Sequence, residues 1–319
     1  MDQGRALEAL ANQAVDAAEL AAVAAARLVG RGDKIAADQA AVDAMRNGLN
    51  AMAMKGRIVI GEGERDEAPM LYIGEEVGTG EGPEIDIALD PLEGTSLTAK
   101  GMNNALAVLA LAPRGGLLHA PDTYMDKIAC GPGYPAGAIN LDAEPGENVR
   151  SLARAKGVAP EEITVCVLDR ERHQSIVDSV RRVGARILFI ADGDVAGVIN
   201  AADPDGKADL YIGRGGAPEG VLGAASLRCL GGQMQTRLHF RNDDERERAK
   251  RTGISDLDRK YDLTEMAHEH CLFVAAGVTE GDLVHGVRSG AGFVETQTLL
   301  FSSVTGLRRR ISTRRPVTA

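Results

Sequence analysis

The sequence predicts an α/β protein, and three features lead there. After Glu162, short apolar runs (163–168, 186–190 and 208–212) alternate with stretches of helical periodicity (174–183, 195–201 and 219–230), the rhythm of βαβ units. Two long helical patterns occupy the amino end. Between these regions, two β-branched apolar runs each open into glycine-spaced acids, as strands do when they end at a polar edge.

In chain order, Ala6 to Val29 is a run of helix formers that Gly30 and Gly32 close. Asp33 is placed to cap a second helix, Ala36 to Met54, so that Lys34 and Asp38 share its first turns. Ile58-Val59-Ile60 reads as a strand leading into Gly61-Glu62-Gly63-Glu64-Arg65-Asp66-Glu67. Ile85 to Leu89 reads as another, leading into Asp90-Pro91-Leu92-Glu93-Gly94-Thr95. The change of character near residue 160 suggests two lobes: 1–160, carrying the acidic loops, and 161–319, an α/β lobe that completes the metal and substrate site. Within the second lobe the strand ends deliver Asp169 to His173, Ala191 to Asp194, and Gly213 to Gly220 to one sheet edge, where ligands of such sheets bind.

Composition narrows the function. The chain has 319 residues, 44% of them hydrophobic, and its net charge of −10 argues against nucleic acid or an anionic membrane as the main partner. With 3% aromatics and no Trp, the core must be aliphatic. The four cysteines (130, 166, 229 and 271) are far apart in apolar contexts and are expected to be reduced and buried. No segment has the clean apolar stretch of a signal peptide or membrane span, which places the protein in the cytoplasm. A homo-oligomer, dimer or tetramer, is expected.

The acids carry the chemistry. Carboxylates crowded in two loops repel one another unless a cation bridges them. Mg²⁺ and Mn²⁺ prefer such oxygen ligands, and two ions about 4 Å apart form the clamp used for displacement at phosphorus. Glu219, next to Pro218 at a helix start, is read as a further ligand from the second lobe. These residues suggest a metal-dependent phosphatase. Other runs read more plainly: Asp243 to Arg248 as a solvated surface helix, His268-Glu269-His270 as a surface or partner contact, and Arg308 to Arg310 with Arg314-Arg315 as a basic terminal strand facing acids.

Taken in order, Gly30-Arg31-Gly32-Asp33-Lys34, Ile58 to Pro69 (IVIGEGERDEAP), Asp86 to Thr95 (DIALDPLEGT), Ala120 to Lys127 (APDTYMDK), Ala191 to Val195 (ADGDV) and Gly215 to Gly220 (GGAPEG) resemble class II fructose-1,6-bisphosphatases. This is the bacterial type related to the lithium-sensitive sugar and inositol phosphatases. The resemblance implies a layered α/β/α/β/α sandwich and hydrolysis of the 1-phosphate of fructose 1,6-bisphosphate with Mn²⁺ or Mg²⁺, two ions being expected. By the same resemblance, Asp38 and Glu62 bind one metal and Asp90, Glu93 and Glu219 the other. Thr95 orients the attacking water, Asp66 or a metal-bound carboxylate accepts its proton, and Lys34 neutralises the scissile phosphate. Glu93, Gly94, Thr95, Tyr124, Arg170, Arg172, Asp192, Gly193, Asp194 and Gly216 contact substrate. Glu171 stands where family members often have proline, and must point away from the Arg170–Arg172 clamp.

Rival classes use the same residues differently. A dinucleotide-binding oxidoreductase lacks the third glycine of its fingerprint after Gly213, and Glu219 would oppose a pyrophosphate. A dehalogenase-like phosphatase, with Asp192 as covalent nucleophile and Asp194 as acid, leaves Asp90, Glu93 and Thr95 idle. A sugar-phosphate-binding regulator without activity is the remaining class. Sedoheptulose 1,7-bisphosphate is the alternative substrate.

Overall fold

The computed structural model describes residues 2–61 and 71–316. Helices α1 (Gln3–Glu8), α2 (Ala11–Ala26) and α3 (Lys34–Asn50) precede β1 (Lys55–Ile60), β2 (Glu76–Val77), β3 (Glu84–Glu93), α4 (Thr95–Lys100) and β4 (Leu106–Pro113). The middle of the chain runs β5 (Tyr124–Cys130), α5 (Pro145–Lys156), β6 (Thr164–Leu168), α6 (Gln174–Arg182), β7 (Arg186–Ile190), α7 (Asp194–Ala202) and β8 (Leu210–Gly216). It continues through α8 (Ala217–Leu230), β9 (Gln233–His239), α9 (Asp243–Arg251), β10 (Lys260–Asp262) and α10 (Leu263–Met266). Strands β11 (Leu272–Gly277), β12 (Arg288–Gly290), β13 (Phe293–Ser302) and β14 (Arg308–Pro316) follow.

These elements form two compact units. The first holds the chain up to Leu118 and again from Glu269, and the second is the insertion His119–His268. The boundary expected at residue 160 is therefore displaced. Strand β5 lies before that point yet pairs with β8 and β9, whereas β11 returns to pair with β4. Pairing between strands so far apart leaves no mark on local periodicity.

In the first unit the sheet order is β12-β13-β11-β4-β3-β1-β2, with β14 also on β13. Ile85, Ile87 and Leu89 of β3, Leu109 and Leu111 of β4, and Val274 of β11 share one face and form a core with α2 and α3. The single helix expected over Ala6 to Val29 is two. A tight turn, Leu10 N–H to Leu7 O at 3.0 Å, separates α1 from α2 and buries both leucines. Helix α3 begins at the Asp33 cap, whose side chain accepts from the Ala36 amide. It stops at Asn50 because Met52 and Met54 turn into the core. The basic end is strand β14 on β13. Arg315 donates to Glu19 of α2 at 2.7 Å, and this fully buried carboxylate also accepts from Thr298 and Thr313.

In the second unit the order is β10-β9-β5-β8-β6-β7. Strands β6, β7 and β8 are parallel, as the alternating pattern implies, and β5 and β9 add antiparallel partners. Helices α5 and α6 bury Val149, Leu152 and Val180 against Ile128, Val165, Val167 and Ile212. The opposite parity of β5 and β8 meets α7 and α8, which also pack on each other. This gives a helix–sheet–helix arrangement within the unit. The Asp243–Arg248 run lies in α9 as expected, but its Glu245 is buried rather than solvated, accepting from Thr123 Oγ1 at 2.8 Å and from the Arg241 amide at 2.7 Å. Residues 268–270 are irregular. All four cysteines are free and buried, and burial pushes the Cys130 and Cys166 thiols up to about 12.

Helices α2 and α3 approach through Gly48: a Cβ there would lie 2.7 Å from the Ala17 Cα and 2.9 Å from its Cβ. Helix propensity alone favours alanine over glycine by about 1 kcal/mol, whereas overpacking a close contact costs about 1–3 kcal/mol. Gly48→Ala is therefore expected to lower the urea midpoint, while alanine at an open helical site would raise it.

Candidate functional site

Strands β6, β7 and β8 deliver their following residues to one edge of the second unit. After β6, Arg170 and Arg172 are exposed, and Glu171 between them sits in a single 3₁₀ turn, also exposed. The Arg172 guanidinium donates to the Arg214 carbonyl at 2.8 and 3.1 Å and lies 5.2 Å from the centre of the Tyr124 ring. Arg241 stacks on the same ring at 4.9 Å. After β7, Asp192 stands 3.8 Å from Arg170; burial raises its pKa, and the guanidinium partly offsets this. Gly193 takes a positive φ of 83° and lets the chain turn into α7, whose first residue is the buried Asp194.

Beneath this edge lies Lys127 of β5, only 1% exposed. Its ammonium pairs with Asp194 Oδ2 and donates to the Gly216 carbonyl at 2.6 Å, and the Tyr211 hydroxyl reaches the same carboxylate oxygen at 3.3 Å. The glycines of Gly215-Gly216 leave room for acids. A Cβ at Gly215 would collide with the Asp194 carboxylate, and one at Gly216 with that of Glu219. Glu219 lies in the first turn of α8. Although the residue is only half-buried overall, its Oε2 is out of solvent and has no hydrogen-bond partner among the described residues. Burial, then the charge of Asp194, push its carboxyl up to about 7, against the opposing pull of Lys127.

In the first unit the acids sit at the end of β3 rather than in a loop beyond it, since the strand runs through Glu93. Residues three apart in a regular strand face opposite ways. Here a bulge intervenes: Asp90 pairs with Val108 and Glu93 with Leu106, two residues apart on β4, so the extra residue brings both acids back into phase. The Asp90 carboxylate accepts from the Leu92 amide at 3.0 Å. Gly94, at φ 89°, then turns the chain into α4, which starts at Thr95 and packs against α3. On α3, Asp38 is half-buried and burial raises its pKa, while Lys34, one turn earlier, is exposed.

The expected residues thus fall within their own units: Asp90, Glu93, Gly94 and Thr95 at the junction of β3 and α4, with Asp38 on α3, which packs against both elements, and Tyr124, Arg170, Arg172, Asp192, Gly193, Asp194, Gly216 and Glu219 at one sheet edge. Glu62 and Asp66 lie outside the described residues, and among the described residues no three His, Cys, Asp or Glu side chains form a group able to hold an ion. Sequence reasoning missed Lys127, His173, Arg214 and Arg241. Lys127 did leave a signal, since a lysine that shares strand parity with the buried Met125 and Ala129 must bring its own counter-charge.

The sequence profile of the bacterial fructose-1,6-bisphosphatases encoded by glpX matches residues 8–315. The chain belongs to this family. This fructose-bisphosphatase relative is accordingly a phosphoric monoester hydrolase. It is 44% identical over 324 aligned residues, 94% of this chain and 93% of the other, to a protein of Synechococcus sp. (strain JA-3-3Ab) named D-fructose 1,6-bisphosphatase class 2/sedoheptulose 1,7-bisphosphatase. It is 43% identical to the protein of that name from Synechococcus sp. (strain CC9311), with 92% of each chain covered. Among solved structures, an inositol monophosphatase from Anabaena (Nostoc) sp. PCC 7120 matches with a TM-score of 0.38 and 14% identity, over 72% of this chain and 84% of that one. That likeness adds nothing to the α/β fold described above. No helix among the described residues of the bisphosphatase is long and apolar enough to cross a membrane.

In this bisphosphatase, removing the cation of a buried pair strands the carboxylate and costs about 3–5 kcal/mol. Lys127→Met should lose that much in urea denaturation. Adding Asp194→Asn should recover part of the loss, which identifies the stranded charge as its source.

Proposed function

We propose that the protein hydrolyses the 1-phosphate of fructose 1,6-bisphosphate to give fructose 6-phosphate and orthophosphate, by direct attack of water on phosphorus, as a cytoplasmic enzyme of gluconeogenesis. The observation that carries this reading is Glu219, whose buried Oε2 has no hydrogen-bond partner among the described residues. A carboxylate oxygen held dry and unsatisfied is suited to a hard cation. All the proposed donors are carboxylates, which fit Mn²⁺ or Mg²⁺: Asp38 with Glu62 for one ion, and Asp90, Glu93 and Glu219 for the other. Such ions supply charge neutralisation at phosphorus and lower the pKa of water.

The chain's own residues do the rest. Thr95 orients the attacking water through its hydroxyl, and Asp66 accepts the proton. The Gly94 and Thr95 amides face the departing phosphate, and Lys34 balances its charge. Arg170 and Arg172 bind the non-reacting phosphate, with Tyr124 as the platform that orients Arg172. Asp192 and Asp194 suit sugar hydroxyls, and the backbone of Gly193 and Gly216 allows close approach. Sedoheptulose 1,7-bisphosphate is a second substrate on this reading, favoured by the paired activities in the names of the Synechococcus relatives.

Orthophosphate release across sugar bisphosphates, sugar monophosphates and inositol phosphate checks this. Fructose 1,6-bisphosphate should rank among the better substrates with Mn²⁺ or Mg²⁺, and EDTA should abolish turnover. Asp90→Asn and Glu219→Gln should each lower kcat by about 10³-fold. Arg172→Ala should instead raise KM by about tenfold or more, as loss of a charge-assisted contact does. Full turnover in EDTA would refute the metal assignment, and an unchanged KM in Arg172→Ala would refute the clamp.

A further inference from the structure

Strands β6 and β8 run parallel, yet their ladder covers only Val165↔Leu210 and Cys166↔Tyr211. Beyond it, β6 stays paired with β7 as far as Leu168, and β8 stays paired with β5 as far as Gly216. The two strands therefore part toward their carboxyl ends, where the outgoing chains diverge. The chain after β6 leads through α6 to β7, and the chain after β8 leads through α8 to β9 on the other side. In open α/β sheets this is the place where ligands enter.

His173 stands in that gap. It is 1% exposed, with Nδ1 2.8 Å from the carbonyl of Leu168, the last residue of β6, and Nε2 2.8 Å from the amide of Arg214 in β8. An amide can only donate, so Nε2 is the acceptor and Nδ1 carries the proton, which it gives to Leu168 O. The ring replaces a missing rung of the ladder. The same β8 residue is held from its other side, because Arg214 O accepts from Nε and Nη2 of the Arg172 guanidinium. The Arg214 side chain is in turn fixed by Asp126 at 2.6 and 3.2 Å. One residue thus links the imidazole to the basic loop.

We propose that His173 is a positioning residue: a neutral imidazole spacer that sets the width of the crevice between β6 and β8, and thereby the placement of Arg172 against the non-reacting phosphate of the substrate. A protonated ring cannot do this, since both nitrogens would donate and one would face the Arg214 amide. Burial, with the nearby Arg172 and Arg214 guanidiniums, lowers the His173 pKa and so favours the neutral form. The inference rests on the reading of Arg170 and Arg172 as the phosphate clamp.

The test is steady-state kinetics of the full chain on fructose 1,6-bisphosphate with saturating Mn²⁺, together with nitrogen NMR of protein labelled at histidine. His173→Phe keeps the size of the ring and removes both bonds. It should raise KM by about tenfold while kcat changes by less than about threefold, the pattern of lost binding rather than lost chemistry. His173→Gln, whose amide offers a donor and an acceptor at similar separation, should bring KM back toward the wild-type value. In the unmodified protein the His173 nitrogens should report the neutral Nδ1–H tautomer at neutral pH. An Nε2–H or doubly protonated ring overturns the proposal even if the variants fail to fold. An unchanged KM in a folded His173→Phe also overturns it, provided Arg172→Ala raises KM. An unchanged KM in both variants removes the clamp reading, and this inference with it.

Discussion

A single buried ammonium organises the second unit. Moving a cation out of water costs several kcal/mol, so Lys127 can stay inside only where fixed oxygens surround it. The chain supplies these from two further elements: the Asp194 carboxylate at the start of α7 and the Gly216 carbonyl at the end of β8. One charge on β5 therefore pins the ends of two other elements. The bare backbone at Gly215 and Gly216 follows from the same arrangement, because any side chain there would push Asp194 or Glu219 away.

In the first unit a backbone irregularity places the acids. Asp90 and Glu93 have the wrong spacing to share a face in a regular strand, and the one-residue bulge against Val108 and Leu106 corrects it. Leu92 between them remains buried, so the core is kept while the acids are re-aimed. Gly94 then absorbs the reversal into α4 with a backbone that few other residues tolerate.

Much of this was legible from residue order alone. The alternation after Glu162 gave β6 through α8 to within a few residues, and Asp33 marked the start of α3 because an aspartate cap has a local signature. The acids and arginines after β6, β7 and β8 were expected together because parallel strand ends collect at one edge, and these strands do run parallel. Other features depend on residues distant in the chain. The division at Leu118 and Glu269 follows from β5 pairing with β8 and β9 and from β11 pairing with β4. His173 looked like one more residue of a charged loop, and only the parting of β6 from β8 gives its ring two backbone partners. The burial of Glu19 could not be read from α2 either, since its arginine arrives on β14.

The inserted topology also bears on how the chain is made. Strand β4 meets its neighbour β11 only after the whole of the second unit has been synthesised, and the counter-ion of Glu19 emerges later still. Contiguous segments can close as they leave the ribosome, whereas a sheet assembled from both ends of a polypeptide must wait. The middle unit is therefore positioned to mature first, with the half-built outer sheet exposing the edge of β4 until translation is nearly done. For this protein, premature termination would leave a finished insert attached to an open sheet.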